Sequence, residues 1–127
     1  MTIVKTFLKE TKHKGIGLFA GQFILKGTTW WIETPDFDKV VTTDEYFAAS
    51  GIEREFYDTY MFVKTDGTMY VCVDNARFIN HSNNPNTTNN GNDCVTVRDI
   101  KQGEELTCDY REICDWCKDD LKFENKE

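Results

Sequence analysis

The sequence predicts a mainly β (α+β) fold. β-Branched and aromatic residues gather in short runs, and glycine, proline, asparagine and aspartate punctuate those runs at close intervals. One segment alone carries a full helix-start signature. Many short strands with few helices suit small antiparallel sheets better than a bundle or a parallel sheet.

Taken in order, Ile3–Leu8 is rich in β-formers and reads as a strand. His13-Lys14-Gly15-Ile16-Gly17 reads as a tight glycine turn. Residues 18–20 and 22–25 have extended character, broken by Lys26-Gly27, and 28–33 reads as a strand closed by Pro35-Asp36. Thr42-Thr43-Asp44-Glu45 fits a capping box, so a helix is expected from Thr43 through Ser50, ended by Gly51. Residues 60–64 and 69–73 flank Thr65-Asp66-Gly67-Thr68 and read as a hairpin. Residues 80–93 are crowded with asparagine and read as loop. Cys94–Ile100 is a predicted strand, Lys101-Gln102-Gly103 a turn and Glu105–Cys108 a short strand. The charged tail from Glu112 onward has room for one or two helical turns.

The chain has 127 residues, enough for one core and without repeat or linker. Hydrophobic residues are 39% and aromatics 13%, which excludes the disordered class. No apolar run approaches the roughly 18–20 residues needed to span a bilayer. Met1–Lys14 carries charges where a secretory signal has an apolar core, so an intracellular protein is expected. The five cysteines (Cys72, Cys94, Cys108, Cys114 and Cys117) are odd in number, which argues against a disulfide framework. A net charge of −7 argues against direct nucleic-acid binding and suits a basic partner, although acidity also serves plain solubility.

Three segments have the composition of a site. Gly15-Ile16-Gly17-Leu18-Phe19-Ala20 allows a ligand close to the main chain, but lacks the third glycine of a phosphate-binding fingerprint and taken alone is a plain turn. Arg77-Phe78-Ile79-Asn80-His81-Ser82-Asn83-Asn84-Pro85-Asn86 places an Asn-His pair after an apolar run, where both side chains need partners if buried. Taken alone it is equally a polar loop with a satisfied histidine. Gly103-Glu104-Glu105-Leu106-Thr107-Cys108-Asp109-Tyr110 runs from a turn glycine to a tyrosine, and alone it is a hairpin ending in a core tyrosine. His13 lies in a charged stretch and is assigned no role.

Together, in this order, the three segments resemble the SET-domain protein-lysine methyltransferases. The likeness runs from near the start of the chain to Tyr110. It implies a β-clip of small sheets with a pseudoknot, a SET domain over 1–111, and a post-SET-like tail over 112–127. It implies S-adenosylmethionine as cofactor, with main-chain groups around Gly15, Ile16 and Gly17 and the side chain of Asn80 at its amino-acid end. His81 would meet the adenine, with Arg77 and Phe78 supporting that wall. Tyr110 would stand where methyl donor and lysine meet. Tyr60, on a strand, would line the lysine channel with it. The transferred methyl sits on a sulfonium, so the cofactor supplies the difficult chemistry. The protein must align a neutral amine, whose pKa a nearby cation and a dry channel lower.

Some positions depart from that pattern. Where many relatives carry a zinc-binding cysteine after N-H-S, this chain has Asn83, and the tail offers only Cys114-Asp115-Trp116-Cys117. A four-ligand zinc site is therefore not expected. Trp116 is a candidate aromatic cover for the cofactor. Cys108 replaces the usual aromatic two residues before the tyrosine, and its small thiol leaves space for higher methylation states. The expected substrate is a lysine-containing basic protein such as a histone or histone-like protein, met in the cytoplasm, a host nucleus or a nucleoid. A homodimer is a further expectation for so short a domain. Two competing readings are a catalytically inactive SET-like cofactor- or protein-binding module and a metal-dependent interaction module built on the cysteines.

Overall fold

The computed structural model describes residues 1–113. In chain order the strands are β1 (Thr6–Glu10), β2 (Ile16–Ala20), β3 (Thr29–Trp31), β4 (Lys39–Val41), β5 (Phe62–Val63) and β6 (Met69–Val71). They continue with β7 (Asn80–His81), β8 (Thr87–Asn90), β9 (Asp93–Thr96) and β10 (Glu105–Cys108). The α-helices are α1 (Thr43–Ala48), α2 (Gly51–Tyr60) and α3 (Tyr110–Ile113), and Asn75–Phe78 forms a 3-10 turn. Among the described residues the strands make three small sheets, ordered β1-β2-β10-β7, β3-β9-β8 and β4-β6-β5. The mainly β (α+β) expectation holds.

The core follows from where the apolar runs meet. Leu18 of β2 and Leu106 of β10 stand opposite one another in the antiparallel register and are fully buried. Each side chain contributes about 2 kcal/mol by leaving water. Around them lie Ala20, Ile24, Trp30, Trp31, Tyr70, Cys72 and Ile100. The Tyr70 hydroxyl donates to Asp38 Oδ2 at 2.7 Å and accepts from the Thr34 amide at 3.1 Å. Burial and the Asp38 bond together push the Tyr70 phenol well above its usual range. A second cluster, Val41, Ala49, Tyr57, Met61 and Val71, seats the helices on the β4-β6-β5 sheet.

Local signals were read well where a turn or cap enforces them. The Thr42 hydroxyl accepts from the Glu45 amide and the Glu45 carboxylate accepts from the Thr42 amide, so the capping box is present. The Asp66-Gly67 hairpin joins β5 to β6, with Gly67 at φ 87° and Lys64 N donating to Thr68 O at 2.9 Å. β10 occupies the predicted residues.

Other expectations are corrected. The first strand runs over Thr6–Glu10, not Ile3–Leu8, because Thr2 bridges to Trp31 and Ile3 donates to Trp30 before the chain crosses to β2. Ile16 and Gly17 begin β2 and do not complete a turn. Residues 22–25 keep only an isolated bridge from Ile24 to Ile100. β4 was not foreseen. Gly51 does not close the helical region: α1 stops at Ala48, and Gly51, at φ 58°, turns the chain into α2. α2 places Tyr57 and its following residue Met61 one turn apart on the core side. Tyr60 is consequently the last residue of a helix and does not lie on a strand. The asparagine-rich stretch holds β7, β8 and the start of β9, and β9 ends at Thr96 instead of Ile100. α3 starts at Tyr110, and the tail from residue 114, where one or two helical turns were expected, lies outside the described residues.

β7 lies parallel to β10, pairing Asn80 with Thr107 and His81 with Cys108. Two ladder pairs are a weak hold, and side chains reinforce them. Asn86 Nδ2 donates to Glu105 O at 2.8 Å, and Asn86 Oδ1 accepts from the Thr107 amide at 2.8 Å. The Thr87 hydroxyl donates to Thr107 O at 2.7 Å. The Asn86 amide thus takes the place of a neighbouring strand and keeps its own segment against β10. Replacing Asn86 by Ala strands a buried carbonyl and a buried amide. Urea denaturation of Asn86→Ala is expected to show a loss of about 3 kcal/mol, since each unsatisfied buried group costs about 1–3 kcal/mol.

Candidate active site

The stretch Arg77–His81 holds four of the residues singled out from the sequence, Arg77, Phe78, Asn80 and His81, where the 3-10 turn ends at Phe78 and the chain enters β7. Its side chains work in three groups.

The first group surrounds Gly17. Asn80 Nδ2 donates to Ile16 O at 3.2 Å and to Glu105 Oε2 at 2.9 Å. β2, β7 and β10 meet there. A Cβ on Gly17 would stand 2.7 Å from Glu105 Oε2, 2.8 Å from Thr11 Cγ2 and 3.1 Å from Asn80 Nδ2, so glycine is required by volume. Gly15 is needed for a different reason. Its φ is 70°, and a Cβ there would meet nothing within 4 Å, so its main chain is open to a ligand.

The second group joins His81 to Tyr110. The Tyr110 amide donates to His81 Nδ1 at 3.1 Å. That places the ring proton on Nε2, which lies 2.9 Å from Asn83 Oδ1 and donates to it. The Tyr110 hydroxyl donates to Ile79 O at 2.6 Å, and the two rings are 5.5 Å apart. Asp109 anchors the turn: Arg111 Nε meets Asp109 Oδ1 at 2.9 Å and Arg111 Nη2 meets Oδ2 at 3.0 Å. Arg111 Nη2 also reaches Asn83 Oδ1 at 3.2 Å. Asn83 is thus part of a hydrogen-bonded brace around His81. Lys14 Nζ donates to His81 O at 3.0 Å and ties the glycine turn to β7.

The third group is aromatic. Tyr60 meets the Phe78 ring edge-on at 5.6 Å, and the Arg77 guanidinium lies 4.7 Å from the Phe78 centroid and 5.5 Å from that of Tyr60. Arg77 Nη1 donates to Val73 O at 3.3 Å, while its buried Nε has no acceptor among the described residues. Cys108 is buried between the sheets, and burial holds its thiol well above the usual range. Trp116, Cys114 and Cys117 lie outside the described residues. Among the described residues no group of His, Cys, Asp and Glu has the arrangement of a metal site.

Sequence reasoning gave no role to Glu105, Asn86, Lys14 or Asp109. Each lies in or beside a motif, but its partner is far along the chain, and spacing carries no sign of it.

The SET domain family model matches residues 15–111. This chain belongs to the SET-domain family. Its members are in general protein-lysine methyltransferases that use S-adenosylmethionine, and the motif resemblance pointed to the same family. No curated protein sequence matches this SET domain. Among solved structures it is similar to a humanized mutant of the Chaetomium thermophilum Polycomb Repressive Complex 2 bound to an inhibitor, at 21% identity and a TM-score of 0.61 over 91% of this chain. It is also similar to apo ctPRC2 carrying two substitutions in Ezh2, at 21% identity and a TM-score of 0.65 over 91% of this chain. This SET domain spans 16% of each of those chains. At such identity the likeness is one of fold.

The Asp109 brace has a pH signature. Burial raises the Asp109 carboxyl, but the hydrogen bonds and charge of Arg111 outweigh it, so the group sits below its usual range. A depressed carboxyl contributes stability above its unfolded value, about 3.9, and loses it as pH falls through the folded value. Asp109→Asn should therefore be less stable than the unmodified protein at pH 7. The gap should narrow as pH falls below about 4, as read by urea titrations at each pH.

Proposed function

We propose that this SET domain is a protein-lysine N-methyltransferase that transfers a methyl group from S-adenosylmethionine to a basic protein segment, such as one from a histone or histone-like protein. The observation that carries the reading is the convergence of Asn80, His81 and Tyr110 where β7 lies along β10.

The residues present fit the cofactor. The open main chain at Gly15 admits a ligand, and the acceptors Asn80 Oδ1 and Ile16 O suit the ammonium of its amino-acid end. His81 would meet the adenine, with Arg77 and Phe78 supporting that wall. When bound, S-adenosylmethionine supplies an electrophilic methyl on a cationic sulfur. Tyr110 acts on the other reactant. Its hydroxyl donates to Ile79 O, which fixes where the phenol stands, and from there it would orient the nitrogen of a lysine amine. Tyr60, whose ring meets Phe78 edge-on, would line the channel for the lysine side chain. A net charge of −7 favours a basic segment over a nucleic acid. The described residues contain no helix long and apolar enough to cross a membrane, and the proposed setting is intracellular.

The test is methyl transfer from labelled S-adenosylmethionine to basic proteins, comparing the unmodified chain with Tyr110→Phe. Lysine labelling that falls by about 100-fold or more in the variant is expected, the scale at which loss of one positioned group acts. Cofactor binding in both proteins with no labelling of any acceptor would support an inactive binding module instead.

The product distribution tests Cys108. Its small buried side chain is expected to admit di- and trimethyllysine, and Cys108→Phe should shift the products toward monomethyllysine. Mass spectrometry of the labelled acceptor reads the shift, and strict monomethylation by the unmodified protein would sink the idea.

A further inference from the structure

Glu105 is a carboxylate that the reaction as proposed does not use, yet it reaches into the glycine turn. Its Oε2 accepts from Asn80 Nδ2 at 2.9 Å, and the other hydrogen of that amide goes to Ile16 O at 3.2 Å. Both amide hydrogens of Asn80 are therefore committed. Turning the amide over would set its Oδ1 against a carboxylate and a carbonyl, an all-acceptor contact that costs far more than it gains. Asn80 Oδ1 accepts no hydrogen bond among the described residues. Glu105 reaches Asn80 only because position 17 has no side chain: a Cβ there would sit 2.7 Å from the same Oε2. Gly17 thus serves this hydrogen bond as well as any ligand.

The geometry points to Glu105 as a positioning residue that locks the Asn80 amide, so that Asn80 Oδ1 recognises the α-ammonium of the cofactor's amino-acid end. With its amide held that way round, Asn80 offers a side-chain carbonyl, which favours a ligand carrying N–H donors over one that lacks them. The inference rests on the cofactor reading above and adds to it the residue that sets selectivity for the amino group.

The experiment measures binding of S-adenosylhomocysteine and of its desamino analogue by calorimetry. The proteins are the unmodified chain and the variants Glu105→Gln, Glu105→Asp and Glu105→Leu, each checked for its thermal midpoint. Glutamine keeps an acceptor at the same reach, aspartate withdraws the carboxylate by one methylene and leucine removes it. The ratio of the two affinities should fall by about tenfold in the Asp and Leu variants, the scale of one hydrogen bond to a charged group. It should stay near the unmodified value in Glu105→Gln. Affinity for the desamino analogue should stay constant throughout. Equal losses for both ligands, or an unchanged ratio in the Asp and Leu variants, would overturn the assignment. Failure of the unmodified protein to bind S-adenosylhomocysteine would instead remove the cofactor reading itself, and the two failures are distinguishable.

Discussion

The parallel contact between β7 and β10 is the constraint on which the rest of the site depends. It is only two residue pairs long, and its members come from segments that no local turn brings together. A ladder that short is held in register by what flanks it. β2 takes Glu105 and Leu106, while Asn86 and Thr87 grip the backbone at Glu105 and Thr107 with their side chains. Buried main-chain groups must find partners, and here a side-chain amide supplies what sheet geometry cannot. Once the register is set, Asn80, His81, Cys108 and Tyr110 have no freedom to part.

Around that contact, polar satisfaction and volume act together. The His81 ring is oriented from both sides, by the Tyr110 amide at Nδ1 and by Asn83 at Nε2. Tyr110 is oriented by its own hydroxyl on Ile79 O. Asn80 is oriented by Glu105 and Ile16, across a glycine that leaves room for the carboxylate. Each group that would face a ligand thus has its other polar atoms committed to the protein. Such commitment lets a small domain hold a site in place before the ligand arrives, so less ordering entropy is lost on binding.

Short-range structure was legible in the chain because its causes are short-range. The capping box at Thr42 and Glu45 and the Asp66-Gly67 hairpin depend on neighbours a few residues away, and both are present. The failures share a physical reason. β7 and β8 lie in an asparagine-rich stretch with little β-propensity, and only the distant partners β10 and β9 make them strands. α2 was missed because glycine signals a helix end, whereas Gly51 uses its positive φ to begin the next helix. Tyr60 was placed on a strand by the apolar run that follows it, although the turn-spaced core residues Tyr57 and Met61 extend the helical pattern to its position.

By itself, the sequence determined the β-rich class and the membership of a family, through three motifs in a given order. It also singled out Asn80, His81 and Tyr110, because an Asn-His pair and a terminal tyrosine are chemical identities that the chain carries openly. Tertiary structure alone decided which atoms those residues present. That Asn80 commits both amide hydrogens to the protein, that His81 carries its proton on Nε2, and that Glu105 and Asn86 matter at all depend on partners far apart in sequence. Hydrogen-bond direction is a property of pairs in space, and spacing along a chain does not encode it.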